Sequence, residues 1–380
     1  VQHLDVRAAD ASRARRTRHA PRERLDDAPR RHVTKTRASR RIATRAMRRA
    51  LSARRTKARA VTPRCDASRC ARLATGRVVS RVGFGTAAWG DETRGFGTRY
   101  RERDLAAALS RALERGVTFV DTAETYGASA RAFEQGAEEM VRRARTTARR
   151  DDARDDAFVG TKVLTVPWTN VSAGGEVRLT TKSLVDAIEA SVGRNGGEAY
   201  DLVSIHFPFP TWTQSALCDA LAEATERGLC RAVGVSNYDV RQMTEAHGLL
   251  AKRGIALATN QVKYSVLDRG AEKSGVLAAA RDLDVAVVAY SPLSGGALRT
   301  SADPEIRTLD KLLEFIGAVN GGWTSAQVAL NYLVRKGAIP IPSCTSVARA
   351  DAIADVLEFE LGVEDIETID EKMDYIERKS

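Results

Sequence analysis

From residue 82 onward, short apolar runs alternate with longer segments whose apolar positions recur every three or four residues. VGFGT at 82–86 is followed by ERDLAAALSRALERG, VTFVDTA at 117–123 by RAFEQGAEEMVRRART, and AFVGTKV at 157–163 by TTKSLVDAIEASVGR. YDLVSIHFP at 200–208 precedes TQSALCDALAEATERG, RAVGVSN at 231–237 precedes DVRQMTEAHGLLAKRG, and LATNQVKYS at 257–265 precedes AEKSGVLAAARDLD. VAVVAYSPL at 285–293 leads to a helical region ending in TSAQVALNYLVRKG, and AIPIPSC at 338–344 leads to VARADAIADVLEF. The short runs are apolar at nearly every position, as strands covered on both faces must be, and the longer segments carry the one-sided stripe of a helix packed on a sheet. Several helices end in Gly directly ahead of the next strand, a position where a left-handed cap costs little without a Cβ.

Eight strand and helix pairs in this order predict an α/β chain closed into a (β/α)8 TIM barrel. A doubly wound sheet would alternate in the same way, but it calls for G-x-G-x-x-G after its first strand. GFGTAAWG at 83–90 lacks that spacing, and no acidic ribose-binding residue follows where that fold needs one. LATGRVVS at 73–80 predicts an N-terminal β-hairpin cap over the bottom of the barrel, and EDIETIDEKMDYIERK at 364–379 predicts an extra C-terminal helix. Residues 146–156 and 165–178, with Pro167, Gly174 and Gly175 in the second, read as exposed loops.

Charge divides the chain. Residues 1–75 hold 23 Lys or Arg against 6 Asp or Glu, and residues 76–380 hold 37 against 43, so the overall +11 averages two unlike regions. The basic excess lies in a stretch of Arg, Ala, Ser and Thr without apolar periodicity, which predicts a disordered extension over 1–75 ahead of a barrel domain at 76–380. Such a composition is that of a transit peptide, with translation starting at Met47, the first methionine; a disordered RNA-binding arm has the same look. The expected compartment is the chloroplast, with mitochondrion or cytoplasm as alternatives. The body itself is mildly acidic, which excludes a nucleic-acid partner for it, and no apolar run approaches the ~18 residues of a membrane span. Five scattered cysteines, Cys65, Cys70, Cys218, Cys230 and Cys344, give neither a disulfide framework nor paired zinc spacing, so no metal is expected.

In a barrel the C-terminal ends of all strands converge on one mouth. Three successive runs end in chemistry there: Asp121 and Tyr126 after VTFV, Lys162 in AFVGTK, and His206 after YDLVSI. A phenol, an ammonium, a carboxylate and an imidazole together can deliver a proton to a developing alkoxide. A buried Lys⁺ stabilises phenolate and is expected to lower the tyrosine pKa from near ~10 toward working pH. The remaining strand ends contribute Gly85, Thr86 and Trp89, then Ser236 with Asn237, Gln261, Tyr290 with Ser291, and Ser343 through Arg349. Trp89, Trp168 and Phe207 are candidates for an apolar wall around a carbonyl substrate.

The motifs GVTFVDTAETYG, FVGTKV, YDLVSIHFP, RAVGVSNY, NQVKYS, VAYSPLSGGAL and AIPIPSCTSV occur in an order and spacing that resemble the aldo-keto reductase superfamily, especially its plant chloroplast members. The resemblance spans about 78–371 and implies an NADPH-dependent reductase acting on a small-molecule aldehyde or ketone. It implies Tyr126 as general acid, Asp121 and Lys162 tuning its pKa, and His206 orienting the carbonyl. For NADP it implies Ser236, Asn237 and Gln261 on the nicotinamide carboxamide, Tyr290 under the ring, and Gly85, Thr86, Ser291, Leu293 and Gly295 along the cofactor path. Arg349 falls at the adenosine 2′-phosphate, with Ser343, Thr345 and Ser346 as hydroxyl partners. The connection after Leu298, RTSADPEIRTLD, is short beside the clamp that relatives carry. The expected assembly is a monomer or weak oligomer. The alternative is an NADPH-binding, redox-sensing regulatory subunit with little turnover.

Overall fold

The computed structural model describes residues 69–127, 136–147, 157–165 and 178–379. Eight parallel strands follow one another in space as in sequence: β3 (Gly83–Gly85), β4 (Phe119–Asp121), β5 (Phe158–Val163), β6 (Leu202–Ile205), β7 (Val233–Ser236), β8 (Leu257–Lys263), β9 (Ala286–Tyr290) and β10 (Ala338–Pro340). The first and last meet through a parallel bridge between Gly85 and Ser343, with the Gly85 N–H donating to the Pro342 carbonyl at 3.0 Å and the Cys344 N–H donating to the Gly85 carbonyl at 3.1 Å. A Cβ at residue 85 would stand 2.8 Å from the Ile341 carbonyl oxygen, so this seam closes only around glycine. The barrel expected from the alternation is the fold observed.

Strand pleating decides which side chains reach the mouth, because alternate residues face the barrel interior. On β4, Phe119 packs inside the barrel and Val120 against the helices, so Asp121 points inward again. On β5, Phe158 packs inside against Phe119, their ring centroids 5.4 Å apart, while Val159 and Val163 face outward. Lys162 therefore shares the interior with Asp121, and the same count on β6, with Leu202 inside and Val203 and Ile205 outside, brings His206 to the same rim.

The predicted hairpin is present as β1 (Cys70–Arg72) and β2 (Val78–Ser80), antiparallel to each other. Leu73 and Val79 from it join Phe119, Phe158, Leu202 and Ile341 to seal the lower interior. The boundary expected at residue 76 falls inside this hairpin, so the ordered body reaches back at least to Arg69. Residues 1–68, where the extension and Met47 lie, are outside the described residues.

The outer ring includes α1 (Glu102–Glu114), α2 (Ala137–Thr147), α3 (Thr181–Arg194), α4 (Gln214–Glu226), α5 (Val240–Ala251), α6 (Val276–Asp282), α7 (Pro304–Val319), α8 (Ser325–Arg335) and α9 (Val347–Ala354). Part of the short connection read after Leu298 is the start of α7, capped by Asp303 with Pro304 in its first turn. The extra C-terminal helix, α10 (Val363–Lys379), buries Ile369, Met373 and Ile376, and its Lys372 and Lys379 both pair with Glu305 of α7. Among the described residues no helix is long and apolar enough to cross a membrane. Cys218, Cys230 and Cys344 are free and buried, and burial pushes the Cys218 and Cys344 thiols up to about 12, so they are inert thiols at neutral pH.

Candidate active site

Asp121, Lys162, Tyr126 and His206 come together at the mouth. Lys162 Nζ donates to Asp121 Oδ1 at 2.7 Å, to Oδ2 at 2.8 Å and to the Thr122 carbonyl at 2.7 Å, with 1% of the lysine side chain exposed. Burial works to discharge this ammonium, but the Asp121 carboxylate and the hydrogen bonds it and Tyr126 offer outweigh it and raise the lysine pKa. Gln261 Nε2 donates a further 2.7 Å bond to Asp121 Oδ1. The carboxylate is thus held by a cation on one side and an amide on the other.

The Lys162 ammonium lies 4.8 Å from the Tyr126 ring centroid, and the Tyr126 and His206 rings meet edge to face at 6.1 Å. The expectation that lysine would bring the phenol below its ordinary value is not met. Burial raises the Tyr126 pKa, Lys162 opposes it, and Asp121 adds to the rise, so the net direction is upward. The lysine charge is diluted because Asp121 sits against it. Tyr126 is accordingly a protonated donor at neutral pH.

Burial and the neighbouring Lys162 charge lower the His206 pKa to about 3, which makes it a neutral imidazole, and its Nδ1 has no protein partner among the described residues. Unfolding returns that pKa to near ~6.5, so between the two values the unfolded chain binds more protons and stability falls as pH drops. His206→Gln should flatten this loss. Melting temperatures measured from pH 7 to 4.5 should fall several degrees less steeply in the variant, and parallel curves would show that His206 is not the sensitive group.

Two contacts fix the segment that carries Tyr126. Glu124 accepts from Arg178 at 2.5 and 2.9 Å and from the Leu164 N–H at 2.5 Å, tying this loop to the end of β5. Arg178 is buried, although 165–178 read as an exposed loop; most of that stretch, Trp168 included, lies outside the described residues, as does most of 146–156. Gly127, at φ +73°, touches the preceding loop so closely that a Cβ would stand 2.5 Å from the Trp89 carbonyl oxygen.

A cleft of about 790 Å³ runs across the mouth. Gly85, Asp121, Tyr126, His206, Phe207, Ser236, Asn237 and Gln261 line one stretch of it, and Tyr290, Ser291, Leu293, Gly295, Ser343 and Arg349 continue it. Thr86, Thr345 and Ser346 do not reach it. Thr86 donates its hydroxyl to the Asp121 carbonyl, Thr345 accepts from Arg349 at 3.1 Å, and Ser346 caps α9 by accepting from the Arg349 N–H. Trp89 is a correction to the expected substrate wall: it is fully buried, edge-on to Phe84, with its indole N–H on the Cys344 carbonyl at 2.9 Å. An aromatic residue beyond a strand end can pack down as readily as up, and here the apolar floor claimed it. Arg94, Gly296 and Arg299 line the cleft without having been expected from the strand ends. Arg299 stands one residue beyond SGGAL, the nearest thing to a sequence signal for it.

The lining suits a nicotinamide dinucleotide. Ser236 donates to the Gln261 carbonyl, Asn237 Nδ2 donates to the His206 carbonyl, and Tyr290 donates to Asn237 Oδ1 at 3.0 Å, a network that anchors the tyrosine at the cleft wall. The Gln261 side chain keeps its amide oxygen and one N–H without a partner among the described residues, the complementary pair that a carboxamide needs. Farther along, Gly295 and Gly296 have positive φ and open space where a Cβ would be, and Arg299 and Arg349 have no carboxylate partner among the described residues. Exposed backbone and two unneutralised guanidinium groups suit phosphates.

A barrel with a carboxylate-held lysine beneath a phenol, opening on a cleft suited to a dinucleotide, has the parts of a dinucleotide-dependent oxidoreductase. Residues 81–374 match the model of the aldo/keto reductase family, and the chain belongs to that family. It is 30% identical over 293 residues to a chloroplastic pyridoxal reductase of Arabidopsis thaliana, covering 72% of this chain and 77% of the relative. The crystal structure of a Bombyx mori aldo-keto reductase in complex with NADP is similar at TM-score 0.64 and 25% identity, covering 80% of this chain and 92% of that one. A Klebsiella pneumoniae aldo-keto reductase in complex with NADPH gives TM-score 0.62 and 25% identity, covering 80% and 94%.

Proposed function

We propose that this protein reduces an aldehyde or ketone to the alcohol, with Tyr126 donating the proton to the carbonyl oxygen. The observation that carries this reading is the Asp121–Lys162 ion pair at 2.7 Å, buried against a protonated Tyr126 and beside a neutral His206. When bound, NADPH supplies the hydride for the carbonyl carbon. Negative charge then grows on the oxygen, where the Tyr126 O–H donates and finally transfers its proton. Lys162 offsets the phenolate charge left behind, so its contribution is larger in the transition state than in the ground state. A neutral His206 can hold the carbonyl oxygen without competing as an acid in the physiological range.

For the cofactor, we assign the carboxamide to Gln261, Asn237 and Ser236, the nicotinamide ring to Tyr290, the pyrophosphate to Ser291, Leu293 and Gly295 with Gly85 below, and the 2′-phosphate to Arg349 beside Ser343. Thr86, Thr345 and Ser346 support these groups from behind. Phe207, exposed beside His206, forms part of the substrate wall. A plastid is the proposed compartment, with the import segment ahead of the Cys70–Ser80 hairpin, within residues 1–68, supported by the basic, acid-poor composition and by the chloroplastic relative. The protein is proposed to act as a monomer or weak oligomer.

The test is NADPH oxidation by the full chain across a panel of aldehydes and ketones, paired with NADPH titration by fluorescence. Saturable, carbonyl-dependent oxidation is expected. Tight NADPH binding without turnover on any carbonyl would instead favour the regulatory subunit.

A further inference from the structure

The cleft carries one cation near the phenol that proton delivery and cofactor recognition leave unused. Arg94 lines it together with Ala87, Tyr126 and Phe207. It ends a short turn, Glu92–Arg94, that is held from several sides. Asp91 Oδ1 accepts from the Thr93 and Arg94 N–H groups at 2.9 and 3.3 Å, and the Tyr100 hydroxyl donates to the Ala88 carbonyl at 2.8 Å. The indole of Trp89 pins the same loop to Cys344, and the Trp89 carbonyl abuts Gly127, next to Tyr126. The guanidinium therefore reaches the rim of the reaction site on a loop whose backbone is already fixed against the backbone that carries Tyr126.

Arg94 Nε pairs with Asp91 Oδ2 at 3.1 Å, but neither Nη group has a protein partner among the described residues. That outer edge offers the paired donors that a carboxylate or phosphate accepts, at lower desolvation cost than an ammonium. Among the described residues lining the cleft Asp121 is the one carboxylate, and Lys162 already neutralises it. The Arg94 charge also acts to lower the Tyr126 pKa, so it is felt at the reacting end of the cleft. Phe207, 41% exposed and stacked on His206 at 5.1 Å, adds an apolar flank for the body of a substrate.

We propose that Arg94 forms an anion subsite and that the preferred substrates are aldehydes or ketones bearing a carboxylate or phosphate away from the reacting carbonyl. The inference rests on the carbonyl-reductase reading. Its test compares para-carboxybenzaldehyde with the methyl ester of the same acid, which keeps the ring but lacks the charge and carries the intrinsically more electrophilic aldehyde, so that a preference for the acid does not come from reactivity, using the full chain and saturating NADPH. The acid should be favoured in kcat/KM by about 10-fold or more, mostly through KM, as expected for a charge-assisted hydrogen bond. Added salt should shrink the preference. R94Q should bring the acid-to-ester ratio close to one, and R94K should restore part of it by keeping the charge without the fork. Turnover of both compounds with no preference in the wild type, or with a ratio unchanged in R94Q, overturns the anion subsite and leaves the reductase reading standing. Absence of turnover with either compound overturns both.

Discussion

Tyr126→Phe is expected to lower kcat for aldehyde reduction by about 10²- to 10⁴-fold, the range that a positioned general acid contributes, while NADPH still binds. The substitution should be read cleanly because it leaves little behind to unfold. The ring keeps its edge-to-face contact with His206 and its place over the lysine. Lys162 retains both Asp121 oxygens and the Thr122 carbonyl, so the ammonium stays satisfied without the phenol oxygen. A drop in kcat with little change in the NADPH dissociation constant would place Tyr126 at the proton transfer. Full activity in the variant would remove the proposed mechanism, because among the described residues lining this stretch of the cleft no other neutral acid lies beside the lysine.

The barrel and most of the mouth were legible in the sequence for one reason. In a parallel strand every second side chain faces inward, so counting from the apolar anchors Phe119, Phe158 and Leu202 carries the reader to Asp121, Lys162 and His206. What lies between strands follows no such period. The Glu124–Arg178 pair joins residues 54 apart through a loop that reads as solvent-exposed, and nothing local in either residue marks its burial. Gln261 could be placed at the mouth, yet its bond to Asp121 spans 140 residues and depends on which rotamer the packed interior leaves open. Trp89 shows the converse limit. Its position beyond β3 is correct for a substrate contact, and only the contacts it finds in the fold, the Phe84 ring and the Cys344 carbonyl, decide that it packs inward. The direction of the Tyr126 pKa depended on a balance of burial against two opposite charges, and residue types alone do not set that balance.

Lys162→Met separates the two things this lysine does. In the fold, it neutralises a carboxylate that is almost entirely buried, and removing it leaves Asp121 with only the Gln261 amide among the described residues. Breaking such a pair from one side costs about 3–5 kcal/mol, because the partner remains as an uncompensated charge. In the chemistry, it opposes the burial that raises the Tyr126 pKa, so its loss should raise that pKa further. The pH profile of alcohol oxidation, which needs the phenolate as base, should then move its rise to higher pH, and reduction should slow by about 10²-fold or more as the developing phenolate loses its counter-charge. Adding Asp121→Asn to Lys162→Met removes the orphaned carboxylate while leaving an acceptor for Gln261. Chemical denaturation should show most of the lost stability recovered in the double variant, whereas its reduction rate should stay low. Recovery of rate along with stability would mean that Lys162 matters only as a structural counter-ion, and that Tyr126 gives up its proton without help from the ion pair below it.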